Sequence, residues 1–250
     1  FHRKDETPIM SEPSAVLASI KSAKSKGLIS QDALANATRW LESEGLPKEV
    51  VASLHDLVAR NAWAEIEDRF YKGIAFGTGG MRGRTVGRVS ATNELNSDGR
   101  PVRAAVGSAC LNDINILRAG LGLWRQVSKQ TPKPRLVIAH DVRHFSQHFA
   151  ELLASAWTKL GGEAFLFSGP RSTPQLSFTL RHLQAHAGVV ITASHNPSHD
   201  NGFKCYLSDG AQVTPPADVE IVAHVGKISV ADVIPFLSID LSQVQPVPVS

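Results

Sequence analysis

The chain has 250 residues, with 26 Lys and Arg against 23 Asp and Glu, which gives a formal net charge of +3 at pH 7. This length is enough for one large or two small domains with a proper core, and so slight a charge gives no argument for a nucleic-acid partner. No apolar stretch approaches the length of a membrane span and the N-terminus lacks the apolar region of a signal peptide, so no membrane partner is predicted.

Residues 1–72 are predicted to form a helical N-terminal extension, in which residues 1–11 are polar and loose. Ser30 is a typical N-cap, and Gly45 suits the end of the helix that follows it. Apolar residues at helical spacing predict a second helix over 48–61 and a shorter third helix over 62–71. This extension has no catalytic constellation, so its apolar stripes are interpreted as packing surfaces.

From residue 73 onward, predicted strands alternate with predicted helices. Short apolar runs indicate strands at 135–139, 164–167 and 187–192. Helices are predicted at 111–127, 146–160 with Ser146 as its cap, 173–184 and 217–225. This order predicts a three-layer α/β/α domain with a mainly parallel sheet over 73–226. The remaining residues, 227–250, are predicted to be a C-terminal tail or linker.

The third predicted strand leads directly into a possible nucleophile, Ser194. Ligand sites of α/β sheets lie beyond the carboxyl ends of the strands, which is where this serine is expected. Asn201-Gly202 is a strong turn signal, and residues 203–207 are predicted to form a returning strand. That turn would bring Lys204 back towards Ser194, pairing a hydroxyl with an amine that could act as acid, base or charge clamp.

A second segment, residues 76–84, reads F-G-T-G-G-M-R-G-R. Successive glycine N–H groups can converge on an anion, and arginines such as Arg82 and Arg84 can bind phosphate with two hydrogen bonds. The segment matches neither the Walker pattern, which needs a closing G-K-[ST], nor G-x-G-x-x-G. It therefore indicates an anion site of another type.

Together these segments resemble the α-D-phosphohexomutase superfamily, which comprises phosphoglucomutases and phosphomannomutases. Residues 192–197 read T-A-S-H-N-P and residues 200–204 read D-N-G-F-K, which fill the superfamily's phosphoserine-loop pattern. Residues 76–83 resemble its motif F-G-T-[SA]-G-x-R-G, with Gly79 in place of Ser or Ala. Weaker similarities are H-D-V-R at 140–143 and S-T-P at 172–174. The resemblance covers about residues 76 to 216.

The resemblance implies a phosphohexomutase that interconverts hexose 1-phosphate and hexose 6-phosphate, with glucose as the expected sugar, through a phosphoserine and a hexose 1,6-bisphosphate. It implies a cofactor, Mg²⁺, held by phosphorylated Ser194 and by aspartates of a D-G-D-x-D-R loop that this chain lacks. The chain thus resembles the N-terminal part of such an enzyme, with domain I but not domain II. The implied catalytic residues are Ser194, Lys204, Arg82 and His195. The implied phosphate-binding residues are Thr78, Gly79, Arg84 and Asn196.

Other interpretations are weighed against this one. A non-catalytic sugar-phosphate-binding domain or scaffold could keep the same loop. The run from His140 to His144 imitates the zinc motif H-E-x-x-H, but that motif requires both histidines on one helical turn. No G-x-S-x-G surrounds Ser194, which disfavours a serine hydrolase. Two cysteines without metal spacing, Cys110 and Cys205, predict free thiols in a cytoplasmic protein. The sequence predicts no oligomeric state.

Overall fold

The computed structural model describes residues 12–77 and 80–248, so the predicted loose segment at 1–11 lies outside the described residues. The helices in the described residues are α1 Pro13–Ser25, α2 Gln31–Leu41, α3 Lys48–Ala59, α4 Trp63–Phe70, α5 Asp113–Val127, α6 Ser146–Lys159, α7 Thr173–His182 and α8 Ala217–Gly226. The strands are β1 Phe76–Gly77, β2 Gly80–Arg84, β3 Arg135–His140, β4 Glu163–Leu166, β5 Ala187–Ile191, β6 Asp200–Leu207 and β7 Gln245–Pro246.

The first four helices form the predicted helical lead. Ser30 caps α2 as expected, because its Oγ accepts a hydrogen bond from the Ala33 N–H at 3.0 Å. Apolar residues at helical spacing, among them Ile20, Trp40 and Leu54, are buried between these helices. None of the helices in the part of the chain that the structure describes is long and apolar enough to cross a membrane.

The seven strands form one sheet in the order β1-β2-β6-β5-β3-β4-β7. Strands β5, β3, β4 and β7 run parallel to one another, whereas β1, β2 and β6 are joined by antiparallel pairing. The parallel part arises from strand–helix–strand connections through α6 and α7, as the alternating pattern predicts. The antiparallel edge is made by the two segments that carry the candidate site.

Helices cover both faces of this sheet, which confirms the α/β/α architecture. On one face, α5 and α6 bury side chains such as Leu123, Phe149 and Trp157 against β3, β5 and β6. On the other face, α7 buries Leu176 and Leu180 against the opposite side of the same strands. Alternation along each strand therefore separates the side chains into two cores.

One hydrophobic core crosses both of the predicted domain boundaries. Apolar side chains of α1 to α4 pack in it together with residues of α5 and α6 and with three residues that follow α8, namely Ile228, Val230 and Val233. Further along, β7 pairs with the edge strand β4 in parallel. The boundaries at 72/73 and 226/227 stay predictions, but the packing is continuous across them.

A buried charge cluster joins the helical lead to the segment before α5. The Arg69 guanidinium donates to Glu65 Oε1 at 2.7 Å and to the two carboxylate oxygens of Glu94 at 2.6 and 2.9 Å. Burial by itself lowers the pKa of Arg69. The hydrogen bonds and negative charge of Glu94, and then the charge of Glu65, have the opposite and larger effect, so the pKa is raised. The cation is thus held fully paired inside the protein.

The start of α6 differs from the prediction. The N-cap position is occupied by Phe145, whose φ is 63°, and Ser146 is the first helical residue. The Ser146 hydroxyl donates to Asp141 Oδ1 at 2.6 Å instead of capping a backbone N–H. The Ser146 hydroxyl therefore binds Asp141 and does not form the helix cap that the sequence pattern predicts.

Candidate active site

Ser194 is exposed on the loop that follows β5, beyond the carboxyl ends of the parallel strands. Its φ of 56° lies in the left-handed region, which is uncommon for a residue other than glycine. The Ser194 N–H donates to Thr192 Oγ1 at 3.0 Å, and the Asn196 N–H donates to the Ala193 carbonyl at 3.1 Å. Ser194 therefore lies just after the end of β5, in a tight turn that is stabilised by these two hydrogen bonds.

The predicted Asn201-Gly202 turn is wrong, because both residues lie inside β6. The chain reverses earlier, within residues 194–199. Asn201 is buried, and its amide donates to the His144 carbonyl and to Ser146 Oγ, both at 2.9 Å. A Cβ added at Gly202 would lie 2.4 Å from the Thr192 carbonyl oxygen. Glycine is required there by the close approach of neighbouring backbone rather than by a turn.

The glycine- and arginine-rich segment lies beside the serine segment in the sheet. Its strand β2 pairs with β6, so that Arg82 is opposite Gly202 and Gly80 is opposite Lys204. The structure thus brings together two motifs that are more than 100 positions apart in the sequence. Thr78 and Gly79, the predicted phosphate-binding residues between β1 and β2, lie outside the described residues.

Lys204 lies in the middle of β6, between β2 and β5. Its neighbours Phe203 and Cys205 are buried on the α5/α6 face, so Lys204 is on the opposite face, as is Arg82 beside the buried Met81. Partial burial lowers the pKa of Lys204, the nearby positive charge of Arg82 lowers it further, and the charge of Asp141 opposes both effects. Two cations and one carboxylate therefore lie near one another at this edge.

The other predicted site residues are placed as follows. The His195 ring reaches Ser194 Oγ through Nδ1 at 3.5 Å, which is longer than a well-formed hydrogen bond. The Asn196 amide donates to Asp200 Oδ2 at 3.1 Å and so is used within the loop. Arg84 Nε is 3.9 Å from Asp68 Oδ2 on α4, which directs that guanidinium towards the helical lead.

Arg143, which the sequence analysis did not place in the site, contacts the serine loop most extensively. Its guanidinium donates to backbone carbonyl oxygens of the loop, those of Ser194, Asn196, Pro197 and Asp200, at 2.6–3.0 Å. Its Nε lies 3.4 Å from Asp141 Oδ2. The H-D-V-R resemblance at 140–143 was the available signal, but only the tertiary structure shows what this arginine binds.

Neither implied metal arrangement is formed by the residues that the structure describes. In 12–77 and 80–248 there is no group of three or more His, Cys, Asp or Glu side chains that could hold a metal ion. Ser194 alone could offer Mg²⁺ one ligand, through a phosphate, so these residues do not fit a complete magnesium site. For the zinc interpretation, His140 closes β3 and His144 precedes α6, so the two do not share a helical turn. Both cysteines are buried and free.

Comparison with known proteins gives concordant matches. The family described as phosphoglucomutase/phosphomannomutase, alpha/beta/alpha domain I, matches residues 94–232, more than half of the chain. A phosphoglucomutase of Staphylococcus haemolyticus is 34% identical over 162 residues, which cover 65% of this chain and 26% of that protein. A phosphoglucomutase of Staphylococcus aureus is 37% identical over 153 residues, covering 61% and 24%.

Among solved structures, one described as a phosphomannomutase of Thermus thermophilus superimposes with a TM-score of 0.50 at 26% identity. The match covers 63% of this chain and 31% of that one. The chain therefore spans about a quarter of the length of the curated relatives it matches.

Proposed function

The chain belongs to the phosphoglucomutase/phosphomannomutase family, and from this premise we propose that it is the serine-bearing part of a phosphohexomutase. The enzyme would interconvert hexose 1-phosphate and hexose 6-phosphate. Glucose is the proposed sugar, because the curated relatives cited above are named phosphoglucomutases. The small-molecule partner is then a phosphosugar, with hexose 1,6-bisphosphate as activator and intermediate. Two buried free thiols support a cytoplasmic location.

The observation that carries this proposal is the position of Ser194. Ser194 is exposed on a loop that hydrogen bonds hold in place, and the strand that follows this loop carries Lys204 close to Arg82 of the neighbouring strand. A phosphorylated serine carries close to two negative charges, which the two cations would partly neutralise. An exposed serine followed by a strand whose lysine lies close to a second cation suits phosphoryl transfer, in which positioning and electrostatics supply most of the catalysis.

The proposed reaction has two mirrored steps. In the first, the bond between phosphorus and Ser194 Oγ breaks as a sugar hydroxyl oxygen bonds to phosphorus, and the hydroxyl proton must reach the departing serine oxygen. Lys204 is the proposed relay, because its lowered pKa makes the ammonium a readier proton donor. The bisphosphate then reorients in the site, and Ser194 takes the phosphoryl group from the second phosphate-bearing oxygen of the sugar. His195 would add positive charge near Oγ when it is protonated.

Mg²⁺ is proposed as the cofactor of the complete enzyme, where it would stabilise charge on the transferring group. Because the described residues do not form its site, its carboxylate ligands would come from outside them. Residues 1–250 alone should therefore unfold cooperatively but not convert glucose 1-phosphate, even with Mg²⁺ and bisphosphate present. Robust conversion of glucose 1-phosphate by residues 1–250, dependent on Ser194, would show that the magnesium ligands need not come from outside the described residues.

The test uses the complete gene product. We expect it to take up one phosphate from glucose 1,6-bisphosphate at Ser194, as peptide mapping by mass spectrometry would show, and Ser194→Ala to abolish both uptake and conversion to glucose 6-phosphate. Ser198→Ala, which changes another serine of the same loop, is the matched control and should keep the phosphate at Ser194. Binding of phosphosugar without uptake or turnover would support the alternative, a non-catalytic binding domain.

A further inference from the structure

We propose that Arg143 is the positioning residue of this site, one that acts on the serine loop rather than on the phosphosugar. The inference rests on the proposed function, because it assigns Arg143 the task of presenting Ser194 in the geometry that phosphoryl transfer needs.

Four of the five guanidinium N–H groups are hydrogen-bonded to backbone carbonyls, which leaves none of the Nη donors for a phosphate. Nη1 donates to the carbonyl oxygens of Pro197 and Asp200 at 2.7 and 3.0 Å, and Nη2 donates to those of Ser194 and Asn196 at 2.7 and 2.6 Å. The remaining donor, Nε, faces Asp141 at 3.4 Å. Arginine carries five donors in a fixed fork, so four are committed to these carbonyls and the fifth lies within ion-pair distance of Asp141.

This set of contacts is anchored in the sheet. The Asp141 carboxylate accepts hydrogen bonds from the Arg143 backbone N–H at 2.9 Å and from the Ser146 hydroxyl at 2.6 Å. The Asp141 N–H donates to the carbonyl of Ile191, the last residue of β5, at 3.1 Å. The Arg143 side chain is only 13% exposed. The carboxyl ends of two neighbouring strands thus hold the arginine, and the arginine holds the loop.

The contacts also set the direction of the loop's peptide groups. In a trans peptide the carbonyl and the next N–H point in opposite directions. The carbonyl of Ser194 faces Arg143, so the N–H of His195 points away from it. In the same way, the carbonyl of Pro197 faces Arg143 and the N–H of Ser198 points away. Within the described residues, neither N–H has a hydrogen-bond partner. Both are available to an anion on the side of the loop opposite Arg143, where a phosphoryl group would gain from aligned dipoles.

The left-handed backbone of Ser194 explains why such a clamp is needed. Residues other than glycine keep a positive φ only where the surroundings enforce it, and the Ser194 carbonyl is one of the four that Arg143 holds. Without the clamp, the loop is expected to relax towards commoner backbone conformations. The serine oxygen would then move relative to Lys204 and Arg82, and misplacement of a reacting group by about 1 Å can cost roughly 10²-fold in rate.

The experiment compares three variants of the complete gene product, Arg143→Met, Arg143→Lys and Arg118→Met. Arg118 is the matched control, because its guanidinium also binds backbone carbonyls, those of Val225 and Ile228, but lies on α5 away from the serine loop. Two measurements are made on each protein: the kinetics of Ser194 phosphorylation by glucose 1,6-bisphosphate, and hydrogen–deuterium exchange of the peptide that spans residues 192–200.

For Arg143→Met we expect kcat for Ser194 phosphorylation to fall about 10²-fold with little change in KM, and exchange at 192–200 to become faster. Arg143→Lys keeps the charge but loses the fork, so it should fold well and still be clearly impaired. Arg118→Met should match the wild type in both measurements even if it unfolds more easily.

Several results would overturn the inference. A full recovery of kcat in Arg143→Lys would show that charge suffices, and a rise in KM at constant kcat would make Arg143 a substrate clamp. An equal kcat loss in Arg118→Met would show that general destabilisation explains the effect. If the wild-type protein takes up no phosphate, the proposed function fails, whereas the exchange measurement still decides whether Arg143 holds the loop.

Discussion

The buried cluster around Arg69 allows a sharp prediction about stability. In Arg69→Met, a side chain of similar length removes the cation and leaves the Glu65 and Glu94 carboxylates, each 2% exposed, without their counter-charge. Breaking a buried ion pair by removing one partner typically costs about 3–5 kcal/mol, because the charge that remains is uncompensated. Since small proteins are stable by only about 5–15 kcal/mol, the variant should be close to the limit of folding.

The assay is urea unfolding of the chain followed by circular dichroism, with Arg100→Met as the matched control. Arg100 pairs with Asp98 at the surface, where its side chain is 81% exposed, and such pairs contribute only about 0–1 kcal/mol. The triple variant Arg69→Met, Glu65→Gln, Glu94→Gln should recover part of the loss, because its buried groups are neutral. If Arg69→Met is destabilised no more than Arg100→Met, the reasoning from burial is refuted.

Three further predictions concern a glycine, a lysine and a histidine. Gly202→Ala places a Cβ 2.4 Å from a backbone oxygen and should lower the free energy of unfolding, measured in urea, by about 3 kcal/mol or more. Gly226→Ala, which has open space around it, should leave that free energy unchanged. In the complete enzyme, Lys204→Ala should lower kcat about 10²–10⁴-fold while leaving the unfolding midpoint nearly unchanged, and near-normal turnover would remove the lysine from the mechanism. The hydrogen bond that His148 Nε2 donates to Asp113 Oδ1 raises the pKa of His148 above its ordinary value of 6.5. This pair should therefore stabilise the fold fully below pH 6.5 and lose its effect as the pH rises through the folded pKa, and unfolding of His148→Gln should lack that dependence.

Local signals in the sequence were enough for the helices and the central strands, since Ser30 caps α2 and the three apolar runs form β3, β4 and β5, but they did not predict β1, β2 or β7. They failed where a distant partner decides the outcome. The Asn201-Gly202 pair is an ordinary turn signal, yet its glycine is required by the backbone oxygens of Met81 in β2 and of Thr192 just after β5, which no local pattern reveals.

The candidate site shows the same division between local and distant information. Ser194 stands out because its motif is contiguous and follows a buried strand. Arg143 contacts loop residues 51–57 positions away, so its task depends on how β3 and β5 are placed in the sheet. The same holds for Asn201, whose partners lie at the start of α6.

The hydrophobic core that joins α1–α4 to α5, α6 and residues 228–233 packs the helical lead against the two helices that cover one face of the sheet. A hinge between them would have to disturb this shared core, in which residues of the lead such as Ile20 and residues of α5 such as Leu117 are buried together, and dense packing opposes that. Movement of the lead relative to the sheet would therefore disturb α5 and α6, the same two helices that support the strands leading to the serine loop.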